Sequence, residues 1–272
     1  MKAIWRVVKW ILLALAIIVV VMVFLSPIIW IFLSSLKTRV DIFALPPVVI
    51  FKPTLDNYTG LLRSQNPPFL KDYINSLVIA SASTGISLVL GALTAYGFSR
   101  YQIKGGGFAL GWILSLRFFP VVAMTIPIYV LFRLLGLLDR HIPLILVYCI
   151  FNISFTVWFL KGFFDEIPAS LEEAAQLDGY SPFQVFLRVA LPLVVPGIIT
   201  AAIFCMIQSL NEFLIALSLT QRVAETAPVG LAKLQTAVGP DWGKMSAAST
   251  IMMLPVLIFT IVVRNQLIRG MS

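Results

Sequence analysis

The residues able to do chemistry are few, and most lie inside long apolar runs. Arg117, Asn152, Gln208, Asn211 and Glu212 are the polar side chains that stand out there. Arg117 lies about ten residues into its run, hence about 15 Å from the end of a helix. An arginine at that depth costs about 2.5–3.5 kcal/mol on insertion scales, so it faces either a polar cavity or a bond to a neighbouring helix. Gln208, Asn211 and Glu212 fall within one helical turn, where they can present hydrogen-bonding groups to a solute rich in hydroxyls or tie helices together. Catalysis is a poor fit. His141 is the single histidine, which excludes a multi-histidine metal site, and Cys149 and Cys205 sit in apolar segments as two small buried residues, not a disulfide or metal pair. With no nucleophile–base–orienter set and no glycine-rich phosphate loop, the side chains point to binding and passage, with no enzyme chemistry and no metal.

The elements that must hold these groups are membrane helices. Of 272 residues 60% are hydrophobic and only 12% charged, with a mean hydropathy of +0.97, where a soluble protein carries about 25% charged residues. Each crossing needs about 20 apolar residues, and the chain accommodates six such segments: residues 10–33, 73–98, 108–135, 144–164, 192–219 and 245–263. The expected fold is all-α, a single polytopic membrane domain over residues 1–272. The net charge of +8 does not indicate nucleic acid, because the 20 Lys and Arg are scattered singly along loops and helix ends. Membrane lipid is their natural partner.

Lys2, Arg6 and Lys9 precede the first segment, which is too long for a cleaved leader, so it is read as an uncleaved span entering from the cytoplasm. Residues 34–71 are rich in proline, Pro67 included, with a short amphipathic helix expected from Thr54 to Leu62 and a glycosylation triplet at Asn57-Tyr58-Thr59. In the second segment Ser83, Ser87, Gly91, Ala95 and Ser99 recur every fourth residue, a small-residue series that allows close, wrapping helix contact. Pro120 and Pro127 permit bends in the third. Residues 136–143 form an outer turn, and residues 220–244 a second outer loop.

Between the fourth and fifth segments, residues 165–191 form the longest polar-rich helical stretch. Pro168 suits a first helical position, Ser170 and Glu173 have capping-box spacing, and Gly179 can end a helix in the left-handed conformation. Ser181-Pro182 then offers a second N-cap and N1 pair. The product is two short helices about a glycine bend, with Ala174 and Ala175 leaving a low-relief surface and Glu172, Glu173, Asp178 and Arg188 supplying charge for a partner.

This stretch resembles a known motif. Glu173-Ala174-Ala175, three residues, Gly179, nine residues, then Val189-Ala190-Leu191-Pro192 is similar to the cytoplasmic EAA loop of ABC importer permeases, with Val189 in place of isoleucine. Asn211-Glu212-Phe213-Leu214 with Ala216-Leu217 resembles the W-N-E-F-L-x-A-L segment of sugar permeases, although Leu210 occupies the tryptophan position. Gly239-Pro240-x-Trp242-Gly243 followed by Ala247-Ala248-Ser249 is similar to maltose-type permeases.

The resemblance implies the type I permease fold of the maltose-permease G-type component: half of a pore importing a carbohydrate or polyol through a bacterial or archaeal cytoplasmic membrane. It implies a second permease subunit in a heterodimer, two ATP-binding subunits that carry ATP and Mg, and an extracytoplasmic solute-binding protein. On that reading Glu172, Glu173, Ala174, Ala175, Asp178, Gly179, Leu191 and Pro192 couple to the ATPase, Arg117, Asn152, Gln208, Asn211 and Glu212 line the path, and Gly239, Pro240 and Trp242 meet the binding protein. Both termini are expected in the cytoplasm, and, with few residues after Arg269-Gly270, the ATPase contact made by the longer tail of family members is not carried over. A stand-alone carrier driven by an ion gradient, with Arg117 and Glu212 as its membrane charges, is the competing class; it needs no ATPase and leaves the docking motif without a purpose.

Overall fold

The computed structural model describes residues 2–64, 68–236 and 239–269. Pro67, the side chains of Lys2, Arg6, Arg264 and Arg269, and the tail at residues 270–272 lie outside the described part. Among the described residues the regular structure is helical apart from one two-stranded pair, and the chain divides into two compact units, Met1–Phe69 with Leu231–Met253, and Leu70–Gly230 with Leu254–Ser272. Among the described residues four helices are long and apolar enough to cross a membrane, and two bent helix pairs would bring the spans to six.

In the first unit, helix α1 (Lys2–Ser35) is apolar on every side beyond Lys9, and its residues 9–30 are exposed, with Ser34 and Ser35 buried at its end. Helix α2 (Arg39–Phe43) was not expected; Thr38 and Asp41 form the capping box that starts it. Helix α3 (Asp56–Leu62) is the short amphipathic helix of the proline-rich stretch. The Asn57 amide donates to the carbonyls of Ser35 (2.9 Å) and Lys37 (2.8 Å), so the asparagine of the Asn57-Tyr58-Thr59 triplet is a bolt between α3 and the end of α1. Lys37 is buried, its ammonium lying 4.5 Å over the Trp30 ring and 5.2 Å from that of Phe51. These aromatic faces offset part of the cost of taking a cation out of water.

The second unit is built on three helices, α4 (Phe69–Arg100), α7 (His141–Asp165) and α11 (Val195–Asn211). Ser83, Ser87, Gly91 and Ala95 of the small-residue series are buried, and Gly91 is where α4 and α7 come closest: a methyl group there would stand 2.5 Å from Thr156 Cγ2. Gly197 plays the same part for α11, with the Phe163 ring 2.8 Å from where a Cβ would be. Polar bonds accompany these approaches. Asn152 Nδ2 donates to Ser209 Oγ at 2.9 Å, and Ser83 Oγ lies 3.3 Å from the same hydroxyl, so one buried oxygen joins all three helices.

Two segments expected as continuous spans are broken. In place of a helix over residues 108–135 there is α5 (Gly106–Ser115), a tight 3₁₀ turn at Leu116–Phe118, and α6 (Val121–Leu134), bent by 93°. Pro120 is the cause, because it lacks an N–H and drives Phe119 into an extended conformation with φ −70° and ψ 129°. The segment over residues 192–219 bends by 76° where α10 (Leu191–Leu193) meets α11, near Pro192 and Pro196. It breaks again at Glu212 and Phe213 before α12 (Leu214–Leu219) resumes. The stretch over residues 220–244 is also more ordered than a plain loop, containing α13 (Ala227–Ala232) and the antiparallel pair Gln235–Thr236 with Gly239–Pro240.

The turn over residues 136–143 and the chain after α12 are fastened together by Asp139. It sits at φ 57°, and its carboxylate accepts from the backbone N–H groups of Gln221, Arg222, Val223 and Ala224 at 2.9–3.2 Å. Burial raises the pKa of this acid, but four backbone donors outweigh it, and the group titrates below the usual aspartate range. Asn75 adds bonds to the carbonyls of Val223 and Glu225, and His141 Nε2 lies 2.9 Å from Asn75 Oδ1. Because the folded-state pKa is depressed, the stabilisation is present above the unfolded value of about 3.9 and is lost as pH falls through the lower folded value. Asp139→Asn is expected to cost about 1–3 kcal/mol at neutral pH, seen as a lower unfolding midpoint in detergent, and the gap to wild type should close as the solution is acidified below about pH 4. A gap of constant size would rule out the charge as its source.

Candidate functional site

The two-helix element begins at α8 (Ala169–Leu177) with Pro168 in the N-cap position and no side-chain cap bond. The expected Ser170–Glu173 capping box does not form, because Ser170 already lies in the first turn, and Glu173 is left exposed. The other end follows the sequence closely. Gly179 takes φ +90°, Tyr180 N donates to Ala175 O at 3.1 Å, and Gly179 N to Gln176 O at 3.0 Å, the paired bonds of a Schellman ending. Ser181 and Gln184 then form a capping box with Pro182 at the first position of α9 (Pro182–Val185). A π-helical turn at Phe186–Ala190 carries the chain into α10.

The element has two faces. Leu171, Ala174 and Leu177 run at three-residue spacing along the exposed side of α8, joined by Glu173, Asp178, Tyr180 and Phe183; Leu177 is 90% exposed and Phe183 60%. On the inner side Ala175 and Glu172 are buried. Glu172 therefore differs from the sequence-based expectation of a partner-facing charge: its Oε1 accepts from Arg100 Nε and its Oε2 from Tyr96 Oη, both at 2.7 Å. A carboxylate this far from water needs such donors, and removing one member of a buried pair costs about 3–5 kcal/mol. Arg188 lies over the Tyr180 ring at 5.5 Å, Leu191 is half-buried and Pro192 exposed. Tyr96 and Arg100 were not singled out in the sequence, where Arg100 reads as a loop cation; their one-turn spacing at the end of α4 was the available signal.

The polar side chains of the spans separate into two groups. Asn152 is 1% exposed and committed to Ser209, a helix-to-helix bond that leaves it unavailable to a solute. Glu212 is committed as well. It accepts from the N–H groups of Ile215 (2.8 Å) and Ala216 (3.0 Å), and from Tyr148 Oη at 2.9 Å, so it caps α12 and makes the helix break tolerable. Gln208 and Asn211 are exposed on α11, one turn beyond the exposed Phe204. The Arg117 guanidinium rests 4.6 Å over the Phe155 ring, which in turn meets the Phe204 ring edge-on at 5.6 Å. Arg117 and Phe204 thus meet the same Phe155 ring, with Gln208 and Asn211 exposed on α11 beyond Phe204, and the aromatic pair was invisible in the sequence pattern. Gly239 and Pro240 lie in the strand pair, and Trp242, half-exposed, is the first residue of α14 (Trp242–Arg269). Replacing Glu212 by leucine should lower stability by about 0.5–2 kcal/mol through loss of the cap, whereas Glu212→Gln, which keeps an acceptor, should lose less; equal unfolding midpoints for the two variants would show that the cap contributes nothing.

Residues 87–271 match the family described as binding-protein-dependent transport system inner membrane component. The chain is 35% identical over 254 residues to the trehalose transport system permease protein SugB of Mycobacterium tuberculosis, covering 91% of this chain and 90% of that one. It is 31% identical over 272 residues to the trehalose/maltose transport system permease protein MalG of Thermococcus litoralis, covering 98% and 96%. Among solved structures, a chain of a bacterial ABC transporter involved in the import of the acidic polysaccharide alginate shares the fold, with TM-score 0.76, 24% identity and 96% of each chain covered. No feature of these matches favours a stand-alone ion-driven carrier. The chain belongs to the family of binding-protein-dependent transport system inner membrane components, and its work is the passage of a solute across the membrane.

Proposed function

We propose that this chain is one of two permease subunits of an ABC importer for a carbohydrate or polyol, and that the α8–α9 element is its seat on an ATP-hydrolysing partner. The observation that carries the proposal is the exposure of Leu171, Leu177 and Phe183 on a short helical pair whose inner side is anchored by buried bonds. Large apolar side chains displayed on a firmly held element are what a partner cleft can bury. Glu173 and Asp178 supply charge at the rim, Ala174 allows close approach, and Gly179 with Leu191 and Pro192 sets the bends. ATP and Mg belong to two partner subunits, and this chain performs no hydrolysis.

The solute class follows from relatives named for trehalose and maltose transport. Exposed Gln208 and Asn211 offer amide donors and acceptors for hydroxyls, Phe204 an apolar surface for a sugar face, and Arg117 a fixed cation beside them. Gly239, Pro240 and Trp242 are the proposed contact with an extracytoplasmic binding protein. The α8–α9 element and both termini then face the cytoplasm of the bacterial or archaeal cell. Closure of the ATPases would move the seat, and α7 and α11, packed through Gly197 and Phe163, would carry the motion into the bilayer.

Purification from membranes distinguishes this reading from a self-sufficient carrier. The wild-type chain should bring down a nucleotide-binding subunit, and Leu177→Asp should lose it while the permease remains folded, as judged by an unchanged unfolding midpoint; Gly179→Val, strained at φ +90°, should lose it together with a lowered midpoint. Solute uptake into liposomes by this polypeptide alone would overturn the proposal. Arg117→Ala, with assembly intact, should weaken uptake; unchanged uptake and apparent affinity would remove Arg117 from the path.

A further inference from the structure

Tyr96 and Arg100 project from successive turns at the end of α4 and converge on the single carboxylate of Glu172 in α8. The remaining arms of Arg100 are also engaged: Nη2 donates to the carbonyl of Ile167 at 3.0 Å, and Nη1 to Ser99 Oγ at 3.1 Å. Ser99 Oγ donates in turn to Asp165 Oδ1 at 2.6 Å, and Lys161 holds Asp165 Oδ2 at 2.6 Å. Behind the polar bonds the Tyr96 ring meets Phe164 edge-on at 5.4 Å and Phe186 at 5.0 Å. Two residues of α4 therefore touch the end of α7, the connection at Ile167, helix α8 and the π-helical turn.

We infer that Tyr96, Arg100 and Glu172 form a clamp that makes α4 move as one body with the α8–α9 element, so that the ATP-driven stroke enters the membrane through α4 as well as through α7 and α11. The inference rests on the proposed coupling role of α8–α9 and names positioning residues within it. A single contact would let α8 pivot on the end of α4. Bonds to both carboxylate oxygens, together with one to the carbonyl just before α8, fix its rotation as well as its position. The pair is too buried to exchange for water as it moves, with side-chain exposures of 16% for Arg100 and 6% for Glu172. Charge-assisted bonds in such surroundings hold through a displacement that would break exposed ones. A purely apolar contact between the same helices would be free to slide.

The test is the number of solute molecules carried per ATP hydrolysed, measured in proteoliposomes with the complete transporter and loaded binding protein. Arg100→Leu, Arg100→Lys and Tyr96→Phe all leave the exposed residues Leu171, Leu177 and Phe183 untouched, so the ATPase subunits should stay bound. Arg100→Leu should lower solute per ATP roughly tenfold, the upper part of the range for residues that tune coupling, while hydrolysis continues. Tyr96→Phe, which loses one bond and keeps the ring, and Arg100→Lys, which keeps the charge but not the fork, should show smaller losses. A residue that served stability alone would reduce the amount or the unfolding midpoint of the complex and leave the ratio where it was; an unchanged ratio in Arg100→Leu overturns the clamp. Where that variant does not assemble, the two milder ones decide in the same way. A wild-type chain that retains no ATPase would overturn the proposed function and the clamp together, whereas a coupled wild type with equally coupled variants would overturn the clamp alone.

Discussion

A carboxylate removed from water must be met by donors, and this requirement shapes the second unit at three places. Glu172 is held by Arg100 and Tyr96, Glu212 by two backbone amides and Tyr148, and Asp139 by four backbone amides. In each case the acid sits where the chain changes direction: the start of the α8–α9 element, the break before α12, and the turn before α7. An ordinary helix satisfies its own amides, whereas a bend leaves some of them free. At Glu212 and Asp139 an acid at the bend satisfies both needs at once, whereas buried Glu172 is met by side chains, in a low-dielectric setting where each bond is stronger than it would be in water.

The α8–α9 element shows how such anchoring can serve movement. Its inner face, Glu172 and Ala175, is fixed against its own chain, while its outer face keeps Leu171, Leu177, Tyr180 and Phe183 exposed. A short helix of nine residues has little stability of its own. It is held at one end by a buried ion pair and closed at the other by Gly179 in the left-handed conformation. The π-helical turn that follows inserts an irregular step between this element and α11, and such turns frequently accompany functional sites.

The three long helices of this unit are matched by small residues and joined by shared hydroxyls. Gly91 against Thr156 and Gly197 against Phe163 allow backbone approaches that a larger side chain would prevent, and Ser209 links α11 to both Asn152 and Ser83. In hydrocarbon there is little hydrophobic gain from joining helices, so close packing and interhelical bonds supply the attraction. Rods bound in this manner transmit displacement with little internal slippage.

Much of this was legible in one dimension. Apolar length marked the segments able to cross a membrane, the Glu173-Ala174-Ala175 to Pro192 spacing marked the two-helix α8–α9 stretch, and Gly179, Ser181 and Pro182 marked its bends, because each depends on local backbone chemistry or on a continuous run of residue types. The sequence could not indicate which charges would face inward. Glu172 and Glu173 are adjacent and chemically alike, and only the packing of α8 on α4 turns one toward Arg100 and leaves the other exposed. The hydrogen bonds of Asn152 and Glu212, the 93° bend at Pro120 and the amide bonds of Asn57 were likewise decided by the three-dimensional fold. A polar side chain reveals its need for a partner in the sequence, but the partner's identity depends on contacts between residues far apart in the chain, and those exist only after the helices have packed.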